Sequence, residues 1–384
     1  MIWGPPGWTS REVGDFLRPR LAALLGAGVP LRHAEVMRTA VSGNDADLAA
    51  QLRPRLLVAG HDMKFARPVL RPLSEQIDVK VDEWTGHTLH DVAESERCLE
   101  WADVLWCEWM LGSAAWYSTR ADPHQVLMVR CHRAEIRSHV GDGVDIGRVD
   151  RFIAVSPHTL DDFVERFGIP RSSVSLMRNV VDAASFATRA HEPGTYPTRL
   201  LMVGAVPRLK GLHRALGLLA ALRDRDPNYR LTVVGRTAEE LDWIGLDPEE
   251  RDYADYCRAE IKHRGLEGAV FFRGWTDMRE EYAKHDILVA TSENEGFHVS
   301  SVEAMAAGVV PVIRRWHGAD ESFPEEFLVD DDQLVNAVWA LRDYDKYKHA
   351  SKRGKRFSDT GFDAEAVASR ILDEARQVAL GLRR

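Results

Sequence analysis

Cysteine is scarce. The four residues in 384, Cys98, Cys107, Cys131 and Cys257, stand at scattered positions without Cys-x-x-Cys spacing. That excludes a disulfide framework or a cysteine zinc site and fits buried thiols in a reducing compartment. A basic surplus is also missing. The formal net charge is −9, which argues against a chain-wide nucleic-acid partner. Apolar runs are short: none approaches the roughly 18 residues of a spanning helix. The opening segment MIWGPPGWTSREVGDF has no basic region followed by an apolar run, so no secretory signal is read there. These absences together lead us to expect a cytoplasmic chain. One local exception to the acidic balance is the basic run 346–356. It reads as a solvated helix face or as a peripheral contact with the inner face of an anionic membrane.

What is present is a repeated alternation of strand and helix signals. Short apolar runs ending in polar or glycine residues occur at 56–60, 78–84, 103–109, 126–131 and 151–155, with helical periodicity between several of them. This pattern implies a parallel sheet covered on both faces. Residues 187–199 hold Pro and Gly without apolar period and read as a linker. The strand–helix pattern then restarts at 200–204, 231–235, 270–274, 286–290 and 309–313. The chain is therefore expected to be α/β, with two doubly wound domains in tandem. Its expected parts are a segment 1–54 of open placement, a Rossmann-like domain 55–186, the linker, a second Rossmann-like domain 200–362 and a C-terminal helix within 363–384. Ligands of such sheets bind beyond the carboxyl ends of the strands.

The most informative stretch is 291–313. Glu295 lies in a loop after a strand, and Glu303 lies on the helix that follows. Gly296 allows close backbone approach, and the amides of Gly296, Phe297, His298 and Val299 lead into a helix N-terminus suited to an anion. Alone, Ser300-x-x-Glu303 would read as a capping box and Gly308 as a helix stop. The full pattern, Glu-Gly-Phe-x5-Glu-Ala-Met-Ala-x-Gly-x-x-Pro-Val, resembles the signature of retaining GT-B glycosyltransferases of the family 4 (glycosyl transferases group 1) type. That resemblance implies two Rossmann-like domains facing across a cleft and a nucleotide-sugar donor such as a UDP- or GDP-sugar. It also implies that Glu295 contacts the transferred sugar and Glu303 the donor ribose.

The loop from Val203 through Gly204 to Lys210 and Gly211 is similar to the family's diphosphate-binding V-G-R-L-x-x-x-K-G. Lys210 matches, the family arginine falls on Ala205, and Arg208 is the candidate replacement. His132, after the strand 126–131, takes the place of a family histidine near the sugar. Arg130 and Arg133 flank it as candidates for phosphates or an acidic acceptor. On the acceptor side we expect His61, Lys64, Trp84 and Trp109 at strand ends of the first domain. The Trp275 turn falls where the family contacts the nucleobase, although a tryptophan after a strand is usually core. No cofactor and no metal are expected, because the cations and the helix terminus neutralise the leaving group. The acceptor, a polysaccharide, lipid carrier or small metabolite, stays open. So do two rivals: a nucleotide-sugar epimerase, and a non-catalytic nucleotide-sugar-binding partner of an active transferase, which the loss at Ala205 keeps in view.

Overall fold

The computed structural model describes residues 55–379 except 124, 137–138, 187–195, 242–243 and 245. The expected N-terminal segment 1–54 and most of the expected linker lie outside the described residues. The chain divides into two units. The first runs to Val180, without Ser156–His158, and takes up the chain again from Ala364. The second holds Ser156–His158 and Val181–Asp363.

The first unit is built on strands β1 (Arg55–Gly60), β2 (Asp78–Glu83), β3 (Val104–Glu108), β4 (Val126–Cys131), β5 (Arg151–Ala154) and β6 (Val174–Leu176). They form one sheet in the order β2-β1-β3-β4-β5-β6. The pairings are parallel throughout. Helices α1 (Arg67–Ser74), α2 (Val92–Trp101), α3 (Gly112–Ser118) and α4 (Pro157–Phe167) make the crossovers. Both β3 and β4 are buried along their whole length, as expected of strands covered on two faces. Yet each carries one charge, Glu108 and Arg130, and these two are direct partners in the β3–β4 ladder.

The second unit repeats the plan with β7 (Arg199–Val203), β8 (Arg230–Val234), β9 (Val270–Phe272), β10 (Ile287–Ala290), β11 (Val310–Arg314) and β12 (Leu328–Val329). Their order is β12-β11-β10-β7-β8-β9, again parallel. Its longer helices are α5 (Leu212–Arg223), α6 (Pro248–His263), α7 (Met278–Lys284), α8 (Val299–Ala306), α9 (Leu334–Ala340) and α10 (Tyr344–Ser358).

The last helix, α11 (Ala364–Ala379), belongs to the first unit. Val367, Ala368, Ile371, Leu372 and Ala375 recur at helical spacing and enter the core cluster that holds Leu56, Val58, Val69 and Leu73. The described residues therefore begin and end on the same unit.

Each sheet carries a clasp of its own, built alike. Arg55 opens β1 and gives Nε and Nη2 to the two oxygens of Asp103, just before β3. Arg199 opens β7 and does the same to Asp286, just before β10. A forked guanidinium matches a carboxylate in this way, and each clasp ties together the two strands between which the strand order reverses.

Candidate active site

In the second unit the strand order reverses between β7 and β10, the position at which open α/β sheets bind ligands. The loops after these two strands are laced together. The Glu293 amide donates to the Leu209 carbonyl (2.7 Å). The Thr291 hydroxyl lies 3.1 Å from the Lys210 carbonyl and 3.0 Å from that of Gly211. Gly211 adopts φ 73°, and a Cβ there would stand 2.3 Å from the Thr291 oxygen, so only glycine fits. The lacing brings Lys210 Nζ to 2.7 Å from Glu295 Oε1.

Two more groups converge on Glu295. The Ser292 hydroxyl donates to the same oxygen at 2.7 Å, and His298 Nε2 stands 3.8 Å away. Burial would raise the Glu295 carboxyl, but Lys210 chiefly, then His298 and Ser292, outweigh it and hold the pKa at about 2. Burial pushes His298 down to about 4 against the pull of Glu295. At neutral pH Glu295 is thus an ionised carboxylate and His298 a neutral imidazole.

Glu303 lies in a different environment. Its carboxylate is 2.9 Å from the Tyr282 hydroxyl, and burial raises its pKa while that hydroxyl opposes the rise. The capping box read from Ser300-x-x-Glu303 is not formed. His298 is the N-cap of α8 and makes no capping bond from its side chain; its Nδ1 instead meets the Ser301 hydroxyl at 2.8 Å. Among the described residues, the amides of Gly296, Phe297 and His298 make no backbone hydrogen bond. They form a donor set at a helix start. Val299 leaves that set, because its amide turns back to the Phe297 carbonyl at 3.0 Å. The Phe297 ring stacks with Phe323 and Phe362 in the interior, anchoring the loop.

Arg208 does not take the place read for it. Its guanidinium is half exposed and pairs with Glu249 on α6 at 3.1 Å, and its amide donates to Glu250. Ala205 is buried, and Gly204, just after β7, donates its amide to the Val234 carbonyl. The family arginine is therefore not replaced in this conformation. Trp275 is 82% exposed, so the core alternative to the nucleobase reading does not hold.

In the first unit the strand order reverses between β1 and β3. The loops after these strands, with the end of β4, gather Lys64, Phe65, Trp109 and His132. The His132 ring stacks with Phe65 (4.9 Å) and lies 4.0 Å from Trp109. Lys64 Nζ sits over the Phe65 and Trp109 rings and pairs with Asp62 at 2.8 Å. The His61 and His87 rings lie 4.2 Å apart, tilted to each other, and burial followed by His87 lowers the His61 pKa. Arg133 opens the short helix Arg133–Ile136.

Two acceptor-side expectations need correction. Trp84 is a core residue, its indole N–H on Asp82 and its face covered by His90 at 3.7 Å. Arg130 is fully buried and bound to Asn179 and Glu108, so it reaches no acceptor.

Sequence reasoning missed Ser292, Tyr282 and Glu108, the residues that hold Glu295, Glu303 and His132. Only Glu108 carried a signal, as a charge inside an otherwise apolar strand, matched by Arg130 in the next one.

Residues 187–357 match the family model of the glycosyl transferases group 1. A glycogen synthase of Mycobacterium tuberculosis is 33% identical over 176 residues, 45% of this chain and 39% of that protein. A GDP-mannose:cellobiosyl-diphosphopolyprenol alpha-mannosyltransferase of Xanthomonas oryzae is 32% identical over 167 residues, 42% of this chain and 40% of that protein. These matches span less than half the length of the curated relatives. Among solved structures, Anabaena HepE in complex with UDP-glucose aligns with a TM-score of 0.67 at 18% identity, covering 84% of this chain and 99% of that one. The lipopolysaccharide outer core galactosyltransferase WaaB, in its apo form, aligns with a TM-score of 0.57 at 14% identity, covering 84% and 98%. The fold is GT-B, two Rossmann-like units in tandem.

Proposed function

We propose that this chain is a retaining glycosyltransferase that moves a hexose from a UDP- or GDP-sugar to a hydroxyl acceptor. The observation that carries the reading is the Lys210–Glu295 pair at the β7/β10 reversal, inside the stretch that matches the group 1 family. Supporting it, the curated relatives are named as hexosyl-transferring enzymes, and HepE binds UDP-glucose.

In this reading Lys210 and the amides of Gly296, Phe297 and His298 neutralise the leaving diphosphate, where negative charge builds as the glycosidic bond breaks. Glu295 lies against the sugar and Glu303 takes the ribose diol. The acceptor oxygen bonds to the anomeric carbon on the face the phosphate leaves, and its proton passes to that phosphate. No metal or other cofactor takes part. The first unit serves the acceptor, with His132, His61, Lys64 and Trp109 at its strand ends.

A thermal-shift and hydrolysis screen against UDP-, GDP- and dTDP-sugars without added metal tests the proposal. One donor is expected to stabilise the chain and to be cleaved slowly, and NMR of a transfer product is expected to show the donor's anomeric configuration kept. If folded protein responds to no donor, transfer from a UDP- or GDP-sugar is overturned and weight moves to the binding-partner reading. Stabilisation without cleavage favours the binding-partner reading, to which the Arg208–Glu249 pair and Ala205 already lend weight.

The chain works at the inner face of an anionic membrane, docking through α10. No helix among the described residues is long and apolar enough to cross a membrane. Helix α10 buries Tyr347, Gly354 and Ser358 and exposes Lys346, Lys348, Lys352 and Arg356, none of them in an ion pair among the described residues. Each such cation contributes about 1 kcal/mol near an anionic surface. Reversing Lys348, Lys352 and Arg356 to Glu is therefore expected to abolish cosedimentation with phosphatidylserine vesicles at low salt. Wild-type chain left in the supernatant would rule the contact out.

A further inference from the structure

The β3–β4 ladder of the first unit holds a buried charge relay that ends on His132. Glu108 and Arg130 are both fully buried and sit directly opposite each other in the parallel register. Arg130 Nη1 is 3.6 Å from one Glu108 oxygen, and Arg130 Nη2 donates to Asn179 Oδ1 at 2.6 Å. The other Glu108 oxygen is 3.1 Å from His132 Nε2. A guanidinium is always charged, and a carboxylate sealed beside it stays ionised because a lone buried cation is far costlier than a pair. An ionised carboxylate only accepts hydrogen bonds, so His132 Nε2 carries a proton.

The rest of the pocket fixes the ring. Trp109, immediately after Glu108, has φ 77°, the one positive value outside glycine among the described residues. A bulky residue holds such a conformation only where its surroundings over-determine it, and such strain clusters at functional sites. Here the indole N–H donates to the Asp62 carbonyl at 2.7 Å, which lays the Trp109 ring beside the imidazole with Phe65 on the same ring. The His132 amide is 3.3 Å from a Glu135 oxygen. Glu135 also accepts from the Met110 amide, and burial pushes its carboxyl up to about 8. The imidazole is thus held at Nε2 by Glu108 and flanked by the Trp109 and Phe65 rings. Nδ1 makes no hydrogen bond among the described residues, and the side chain keeps 7% exposure.

We propose that Glu108 is a positioning residue that locks His132 as the Nε2–H tautomer, so that Nδ1 presents a lone pair to a hydroxyl of a bound carbohydrate. The tautomer follows from the first unit alone. Only the identity of the hydroxyl rests on the transferase reading. His132 then acts as a hydrogen-bond acceptor that orients a hydroxyl, and no covalent step is assigned to it. Burial, the largest influence on its pKa, lowers it and keeps the ring neutral, against the opposing pull of Glu108.

The test is the 15N signature of His132 in histidine-labelled chain at neutral pH, assigned by its loss in His132→Gln. Long-range proton–nitrogen correlations are expected to show a pyrrole-like Nε2 and a pyridine-like Nδ1. In Glu108→Gln, Arg130 draws the amide oxygen and turns the NH2 toward His132. Nε2 must then accept, and the pattern is expected to invert. A pyridine-like Nε2 or an imidazolium in the wild-type chain overturns the proposal, as does an unchanged pattern in a folded Glu108→Gln. If that variant does not fold, the wild-type spectrum alone still decides.

Donor turnover by Glu108→Gln separates the two readings. With a cleaved donor in hand, a fall of roughly 10²-fold is expected from a misplaced hydroxyl. Unaltered turnover despite an inverted pattern overturns the role toward the ligand. Absence of any donor response by the wild-type chain defeats the transferase reading and leaves the tautomer assignment standing.

Discussion

Glu295→Gln lowers sugar release from the donor by roughly 10²- to 10³-fold, the scale of losing one preorganised electrostatic contact in a water-poor site. The amide keeps the shape of the carboxylate and its place beside Ser292 and removes only the charge. That charge is there to remove: Lys210 at 2.7 Å holds the carboxyl at about 2. The cost to the fold stays below the ~3–5 kcal/mol of a fully buried broken pair, because Lys210 keeps 27% exposure of its side chain. Steady-state kinetics beside a melting curve separate these effects. Turnover near the wild-type value in a folded Glu295→Gln removes Glu295 from the chemistry.

The same variant changes the response to acid. A carboxyl whose folded pKa, about 2, lies below its ordinary 4.5 adds stability above pH 4.5. That stability is lost as pH falls from 4.5 toward 2. Glu295→Gln cannot lose what it lacks, so its stability falls less steeply over that window, measured by urea unfolding at successive pH values. Between pH 5 and 8 neither Glu295 nor His298, at about 4, changes charge, so neither gives a limb to a pH–rate profile in that range.

What was legible in the sequence depended on whether a residue's partner lay nearby along the chain. The two doubly wound sheets followed from the strand–helix rhythm, and the loops bearing Lys210 and Glu295 could be located before their 2.7 Å contact was known. Arg208 could not be placed this way. Its position three residues from Ala205 suggested a replacement charge, but the acidic start of α6, some forty residues on, claims its guanidinium. Glu303 taken alone shows the opposite sense, and only the wider pattern pointed past the cap to a site residue. The local spacing to Ser300 favoured a cap, and Tyr282 on another helix took the carboxylate. Trp275 follows β9, the edge strand of its sheet, and is exposed, so the usual burial of tryptophan does not apply there. Glu108 and Arg130 show what a sequence reader can recover. Two opposite charges, each inside a buried parallel strand and consecutive in the pattern, have no cheap solution except each other.

Gly211→Ala is the substitution expected to damage the second unit most for the smallest chemical change. Its backbone is left-handed, at φ 73°, and the new methyl would press on the Thr291 carbonyl from 2.3 Å. Main-chain atoms there cannot step aside without undoing the lacing of the two loops, namely the Glu293–Leu209 bond and the Thr291 hydroxyl. Strain of about 1–2 kcal/mol for the conformation adds to the cost of the lost contacts, for a total of roughly 3 kcal/mol or more. Because Lys210 precedes Gly211 and Glu295 follows Thr291, the same shift parts the ion pair, so donor affinity falls together with stability. Gly217 supplies the control. It lies within α5, and a methyl there meets nothing within 4 Å. Gly217→Ala therefore gains helix propensity, about 0.5–1 kcal/mol, and raises the melting temperature. Chemical denaturation of the two variants side by side checks both signs. A Gly211→Ala chain as stable as wild type would mean that the two loops are not held as described, and the pairing of Lys210 with Glu295 would lose its structural basis.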